Sequence, residues 1–224
     1  MPIKLNGQTS GSVQLDVPAA VSGGDVTLTL PNGTGSANQF LKNGSAAGTL
    51  EFGALASSNM PTGSILQVVQ THVITTSSQS TSASTRAEIS GLSVNITPIT
   101  ADSDMLIFAR WCGEHSDVNN YNTVFGIRRD STDIGNPATA GSRPLGITTL
   151  AQNFYMANAS STPDIANWFF KDESRSSGTS QITYKATFQC AHAGTLYNQR
   201  TVVDGDGSDY ERLTSSIIIM EVAA

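Results

Sequence analysis

The residues with the clearest chemical potential in this chain form a short acidic loop, Asp204-Gly205-Asp206-Gly207-Ser208-Asp209. Oxygen ligands at alternate positions of a glycine-rich loop can bind Ca²⁺. The pattern departs from an EF-hand, because its sixth position is Asp209 rather than glycine and its twelfth is Ser215 rather than glutamate. We therefore predict a solvated acidic turn and no metal, with a calcium site at Asp204, Asp206 and Asp209 as the alternative.

Catalytic chemistry would need a nucleophile beside a base, a pair of carboxylates or a metal cage. The sequence contains no G-x-S-x-G or H-E-x-x-H motif, and His72, His115 and His192 are far apart in sequence. Glu114, His115 and Asp117 lie together at the end of a predicted strand, where a loop tip accounts for them. We therefore expect neither catalysis nor a cofactor. A polysaccharide depolymerase, the enzymatic alternative, would need an acidic pair in a groove.

Aromatic side chains near strand ends or loops form a second group that could bind a ligand. Such side chains stack on sugars and other receptor surfaces. The candidates for receptor binding are Tyr121, Tyr155, Trp168 and Tyr210, and Tyr197 is a further aromatic residue of this kind. Packing within a half-buried strand is the alternative interpretation for each of them.

Charge and composition limit the partners. The chain has 224 residues, a formal net charge of −6 and only 13% charged residues. Nucleic acid is not expected as a partner, because phosphate neutralisation needs clustered Lys and Arg, and the only basic pair, Arg128-Arg129, is followed by Asp130. The amino terminus has no apolar leader and no run is long enough to span a bilayer, so we expect a soluble product with no membrane partner.

Strands and turns are predicted for almost the whole chain. No window has apolar residues at helical spacing over three turns, so helix should be nearly absent. The predicted strands are 64–72, 92–97, 105–112, 122–128, 152–157, 165–171, 181–190, 194–201 and 214–222, with a serine-rich turn at 77–84. About eight or nine short strands fit a sandwich of jelly-roll type. Cys112 and Cys190 fall within such strands, which favours two buried thiols over a cross-strand disulfide.

Two predicted strands have apolar residues on both faces. These runs are Ile217-Ile218-Ile219-Met220 and Met105-Leu106-Ile107-Phe108-Ala109. A strand of an antiparallel sandwich tolerates this pattern only when its outer side is covered as well. We expect another subunit to cover it, which makes Ile217, Ile218, Ile219 and Met220 candidates for a trimer interface. A long loop folded over the sheet is the alternative.

The first sixty residues contain repeated, strand-sized segments. Lys4-Leu5-Asn6-Gly7 is echoed 37 positions later by Leu41-Lys42-Asn43-Gly44, and Val13, Leu15 and Val17 are echoed 13 positions later by Val26, Leu28 and Leu30. The only aromatic residues there are Phe40 and Phe52. So little apolar surface cannot offset chain ordering at roughly 1–2 kcal/mol per residue. We predict that 1–60 is an attachment or oligomerisation segment, that 61–224 is a head domain, and that the docking residues are Val13, Leu15, Val26, Leu28 and Leu30.

Several stretches carry a family resemblance. They are 25–44, which reads from Asp25 through Leu30-Pro31-Asn32-Gly33 to Asn43-Gly44, then 49–53, 63–69, 91–98, Arg129-Asp130 with 133–135, and 215–222. Together these stretches resemble tail-fibre and related appendage proteins of bacteriophages, especially those of marine and cyanobacterial hosts.

The resemblance implies a fold and a function. In that family the carboxy-terminal half is a trimeric jelly roll similar to tumour-necrosis-factor and C1q heads, and the amino-terminal part fixes the protein to the virion. It implies an all-β homotrimer, assembled in the host cytoplasm and located on the virion, with other tail or capsid proteins and a host surface glycan as partners. The alternative is a capsid decoration or cement protein, or a head fibre, that stabilises the shell.

Overall fold

The computed structural model describes residues 3–6, 12–15, 28–116, 122–139, 141–150 and 161–224. The chain divides into two units, Met1–Ala56 and Ser57–Ala224. The strand predicted at 152–157 and the candidates Tyr121, Tyr155 and Val26 lie outside the described residues.

The described residues of the first unit contain two antiparallel strand pairs, which we call hairpins. Strand β1 (Ile3–Asn6) pairs with β2 (Ser12–Leu15), and β3 (Phe40–Asn43) pairs with β4 (Leu50–Gly53), both antiparallel. The two hairpins coincide with the two copies of the 37-residue echo in the sequence. No residue between 28 and 56 is buried, so this described part of the unit has no core of its own.

The second unit begins with a 3-10 helix at Ser57–Asn59 and continues with strands. The strands are β5 (Ile65–Val73), β6 (Ser77–Thr81), β7 (Ala87–Ile96), β8 (Asp104–His115), β9 (Thr123–Arg129), β10 (Thr132–Ile134), β11 (Asp164–Asp172), β12 (Ile182–Cys190), β13 (Gly194–Asn198) and β14 (Ser215–Val222). Within the described ranges there is no α-helix, which confirms the prediction from the missing helical periodicity. Accordingly, none of the described segments is a helix of the length and hydrophobicity needed to cross a membrane.

The strands pair in a nested order. β5 pairs with β14, β6 with β13, β7 with β12, β8 with β11 and β9 with β10, and every pair is antiparallel. The larger sheet has the order β5-β14-β8-β13-β6, with β11 on the other side of β8, and the smaller sheet has the order β10-β9-β12-β7. The two sheets form a sandwich-like arrangement, as predicted.

The core lies between these sheets and is built from alternate residues of each strand. Phe125 is central, with ring centroids 5.1 Å from Trp111, 5.4 Å from Trp168 and 5.3 Å from Phe188. Such tilted and edge-on contacts are the arrangements that aromatic pairs prefer. The two cysteines are buried thiols, as predicted.

The predicted turn at 77–84 is wrong, because Ser77–Thr81 forms strand β6. Serine has a low intrinsic preference for strands, but here the larger sheet supplies the partners. The side chain of Gln79 accepts the N–H of Ser90 at 2.7 Å and donates to the carbonyl of Glu88 at 2.8 Å, both on β7 of the smaller sheet. These contacts link the two sheets beside β6.

Candidate interaction face

Apolar side chains stand in register on the outer face of the larger sheet. Met220 on β14 pairs with Val68 on β5 and Leu106 on β8, while Ile218 pairs with Phe108, which in turn pairs with Phe169 on β11. Directly paired residues project to the same side of a sheet. We call this set the apolar face: Val68, Leu106, Phe108, Phe169, Ile218 and Met220.

Much of the apolar face is open to solvent in the single chain. Phe169 is 71% exposed, Val68 54% and Phe108 41%. Leu106, Ile218 and Met220, which lie between them, are half-buried by their neighbours. The described loops therefore leave Val68, Phe108 and Phe169 uncovered.

The interface residues predicted on β14 divide between two environments. Ile217 and Ile219 point into the sandwich and are fully buried within the single chain. Ile218 and Met220 point outwards and belong to the apolar face. Only these two of the four predicted residues are placed to contact a second molecule.

The outer face of the smaller sheet has the opposite character. Arg128 on β9 donates to Asp133 at 2.8 Å, and Glu88 on β7 accepts from Arg128 at 3.3 Å and from Lys185 at 3.0 Å. The hydrogen bond to Asp133 raises the pKa of Arg128. The charged side chains of this face are paired with one another, whereas the apolar face lies on the other side of the sandwich.

One end of the apolar face forms a shallow depression of about 210 Å³. Phe108, Phe169 and Ile218 line it together with Arg110 and Asn167. An apolar floor with polar groups at its margin is the usual composition of a protein–protein contact.

Asp204 of the acidic loop is paired with two arginines. Asp204 accepts from Arg212 at 2.7 and 3.0 Å and from Arg200 at 3.2 Å, and the hydrogen bonds from Arg212 are the main cause that lowers the pKa of Asp204. No group of three or more His, Cys, Asp or Glu side chains suited to a metal ion occurs in the described part of the chain. Two guanidinium groups thus engage the carboxylate of Asp204, which the alternative interpretation had assigned to a calcium site with Asp206 and Asp209.

The aromatic candidates within the described residues are largely packed. Trp168 is only 4% exposed and contributes to the core. Tyr210 is half-buried with its ring against Gly205. The ring of Tyr197 lies under the guanidinium of Arg200, with 4.5 Å between the ring centroid and Cζ. None of these three rings stands free in solvent.

The docking candidates of the first unit differ in how far they are described. Leu28 and Leu30 are both exposed large apolar residues. Val13 and Leu15 lie in β2, paired with Leu5 and Ile3 respectively.

Sequence reasoning missed Phe108 and Phe169 as members of the site. Phe108 lies in a run recognised as apolar on both faces, but that run gave no indication of which alternate residues point outwards. Phe169 lies between two other aromatic residues, Trp168 and Phe170, so period-two alternation is hidden there. The register of the folded sheet identifies both, because Phe108 pairs with Ile218 on one side and with Phe169 on the other.

Comparison with known proteins adds no family to this geometry. No family model and no curated protein matches the chain.

Proposed function

We propose that this protein is a non-enzymatic structural component of a bacteriophage particle, a homotrimeric appendage with a jelly-roll head. The apolar face is the observation that carries the self-association. A protein that functions as a single copy would be more soluble with polar residues at the positions of the apolar face, such as those on the outer face of the smaller sheet. The resemblance of the sequence motifs to phage appendage proteins supports a location on the phage particle.

The strand order supports the jelly-roll part of the proposal. When the pair β6 and β13 is set aside, the described residues of the second unit form eight strands, and their sheets read first-eighth-third-sixth and second-seventh-fourth-fifth in chain order. A long antiparallel hairpin that rolls up around a common core produces this order. The nested pairs from β5 with β14 to β9 with β10 are the successive rungs of such a hairpin.

Further copies of the same chain are the proposed cover of the apolar face. In a closed ring of identical copies, the apolar face of every copy is covered by another copy of the same chain, so no further protein is needed to cover it. The centre of the face is uncharged, while Arg110 and Lys171 lie at its margins in register with Ser216 and Leu106. This arrangement of apolar centre and charged rim suits a stable contact between subunits.

The first unit is the proposed attachment segment. Its described residues 28–56 include exposed Leu28, Leu30 and Leu41 and no buried residue. Apolar side chains without an internal core gain stability when they dock on another surface. Deletion of residues 1–60 should therefore leave a folded head that no longer joins particles, and a truncated head that still joined them would place attachment elsewhere.

Two measurements test the function. Sedimentation of the purified chain should give roughly three times the chain mass of 23.5 kDa, and a stable monomer would contradict the proposal. If the protein is a tail fibre, a gold-labelled antibody against it should label the tail of intact particles. Labelling of the capsid axes would instead support the decoration alternative, and absence from particles would refute a virion role.

A further inference from the structure

A polar cavity of about 230 Å³ lies at one end of the sandwich, apart from the apolar face. Its wall comes from the turn after β9 and from the connection between β11 and β12. Its lining includes Arg129, Asp130, Arg175, Ser176, Ser180 and Gln181. None of them was singled out as a site by the sequence, and none belongs to the apolar face.

Arg129 is held in place at this cavity by a fully buried carboxylate. Its Nη1 donates to both oxygens of Asp172 at 2.8 Å, and Asp172 also accepts from the hydroxyl of Tyr184 at 2.8 Å. Burial, together with Asp172, raises the pKa of Tyr184, so the phenol stays a neutral donor. Among the described residues, Nε and Nη2 of Arg129 have no hydrogen-bond partner. A fixed guanidinium thus keeps one edge available for an acceptor.

The loop that forms the opposite wall is fixed as well. Arg175 donates from Nη1 to the carbonyl of Gly178 at 3.0 Å and from Nη2 to the carbonyl of Thr100 at 2.9 Å and the hydroxyl of Ser103 at 2.8 Å. These acceptors are uncharged. Within the part of the chain that the structure describes, the cation of Arg175 therefore organises the loop without a direct carboxylate partner.

We propose that this cavity binds the carboxylate-bearing unit of an acidic saccharide such as a uronate. The Nε–Nη2 edge of an arginine matches a planar carboxylate with two parallel hydrogen bonds. Ser176, Ser180 and Gln181 offer donors and acceptors to ring hydroxyls. Asp130, whose Oδ1 accepts the N–H of Thr183 at 2.9 Å, repels the ligand carboxylate towards Arg129 and accepts a hydroxyl with its other oxygen.

This inference goes beyond the proposed function and can be tested at any oligomeric state, because the cavity is formed within one chain. The experiment is saturation-transfer NMR on the full chain with methyl β-D-glucuronide, with the uncharged methyl β-D-glucoside as comparison ligand. A single small site of this kind should bind with a dissociation constant in the millimolar range, roughly −4 kcal/mol.

Three variants make the test specific. Arg129→Lys keeps the charge beside Asp172 but removes the planar fork, and Ser180→Leu fills the cavity without touching that pair. Both should weaken glucuronide binding about tenfold or more. Arg128→Lys, on the neighbouring residue whose guanidinium is bonded to Asp133 and Glu88, is the matched control and should bind as the wild type does.

The outcomes separate the possibilities. Equal signals from glucuronide and glucoside, or equal binding by all variants, would overturn the proposal. Displacement of the glucuronide by inorganic sulfate at equal concentration would overturn the saccharide part, since a general anion site does not need the hydroxyl contacts. A trimer that binds no glucuronide would refute this inference alone and leave the proposed function intact.

Discussion

Replacement of Phe169 by aspartate tests the apolar face at its most exposed residue. In the single chain Phe169 is 71% exposed, so its loss should hardly affect the free energy of unfolding of one head. Covering such a ring in an assembly contributes about 1–2 kcal/mol. An unpaired carboxylate in the same dry contact costs several kcal/mol more, so the variant loses about 3–5 kcal/mol per copy and about three times that per trimer.

Sedimentation velocity between about 1 and 50 µM measures this loss. A loss of this size weakens the association of a moderately tight trimer enough to dissociate it at these concentrations. The wild type should sediment as a trimer and Phe169→Asp as a single 23.5 kDa chain. Ser93→Asp is the control, because Ser93 is an exposed residue of β7 that pairs with Lys185 on the polar face. It adds the same charge to the other side of the sandwich and should leave the trimer unchanged.

A trimeric Phe169→Asp variant would refute the assignment of this face. Circular dichroism and thermal melting of the variant establish that it is folded. If aspartate perturbs the fold, Phe169→Ser gives the milder test, with only the apolar contribution of about 1–2 kcal/mol per copy removed.

Three further predictions concern the single head and can be measured by urea unfolding. Glu221→Gln should lower the free energy of unfolding at pH 7 by about 1–3 kcal/mol. Burial alone would raise the pKa of Glu221, but hydrogen bonds from side-chain and backbone donors outweigh burial and lower that pKa. The wild type should therefore lose this stabilisation as the pH falls below about 4.3, the value in the unfolded chain, and through the lower pKa of the folded state. The variant has no carboxylate at this position and should not show this loss. Gly113→Ala should cost about 3 kcal/mol or more, because a Cβ there would overlap the carbonyl oxygen of Tyr197 on the neighbouring strand, and an unchanged midpoint would contradict this packing. Asp172→Asn should cost about 3–5 kcal/mol because it leaves the charge of Arg129 without its buried partner, and a near-neutral effect would contradict the proposed fixing of that guanidinium.

Alternation in the sequence predicted most strands of the head well. The strands expected at 181–190 and 214–222 are observed at Ile182–Cys190 and Ser215–Val222, because each has a face that must be buried. Ser77–Thr81 could not be found in this way, since its hydroxyl side chains carry no apolar period and its pairing depends on β13, far along the chain.

The site was harder to predict than the strands for a physical reason. In β14 both sets of alternate residues are apolar, so the sequence cannot say whether Ile217 or Ile218 points outwards. The folded structure decides it, because Ile217 is fully buried while Ile218 lies opposite the exposed Phe108. The cavity beside Arg129 depends similarly on long-range pairing, because its two walls come from separate loops.

The position of β14 affects how the protein is made. This last strand lies between β5 and β8, and Glu221 near its end hydrogen-bonds with Gln67, 154 residues earlier in the sequence. The larger sheet cannot close until synthesis has passed β14, and such distant pairing is slow to form. A prematurely terminated chain would lack Ile218 and Met220 as well as the strand that completes the sheet.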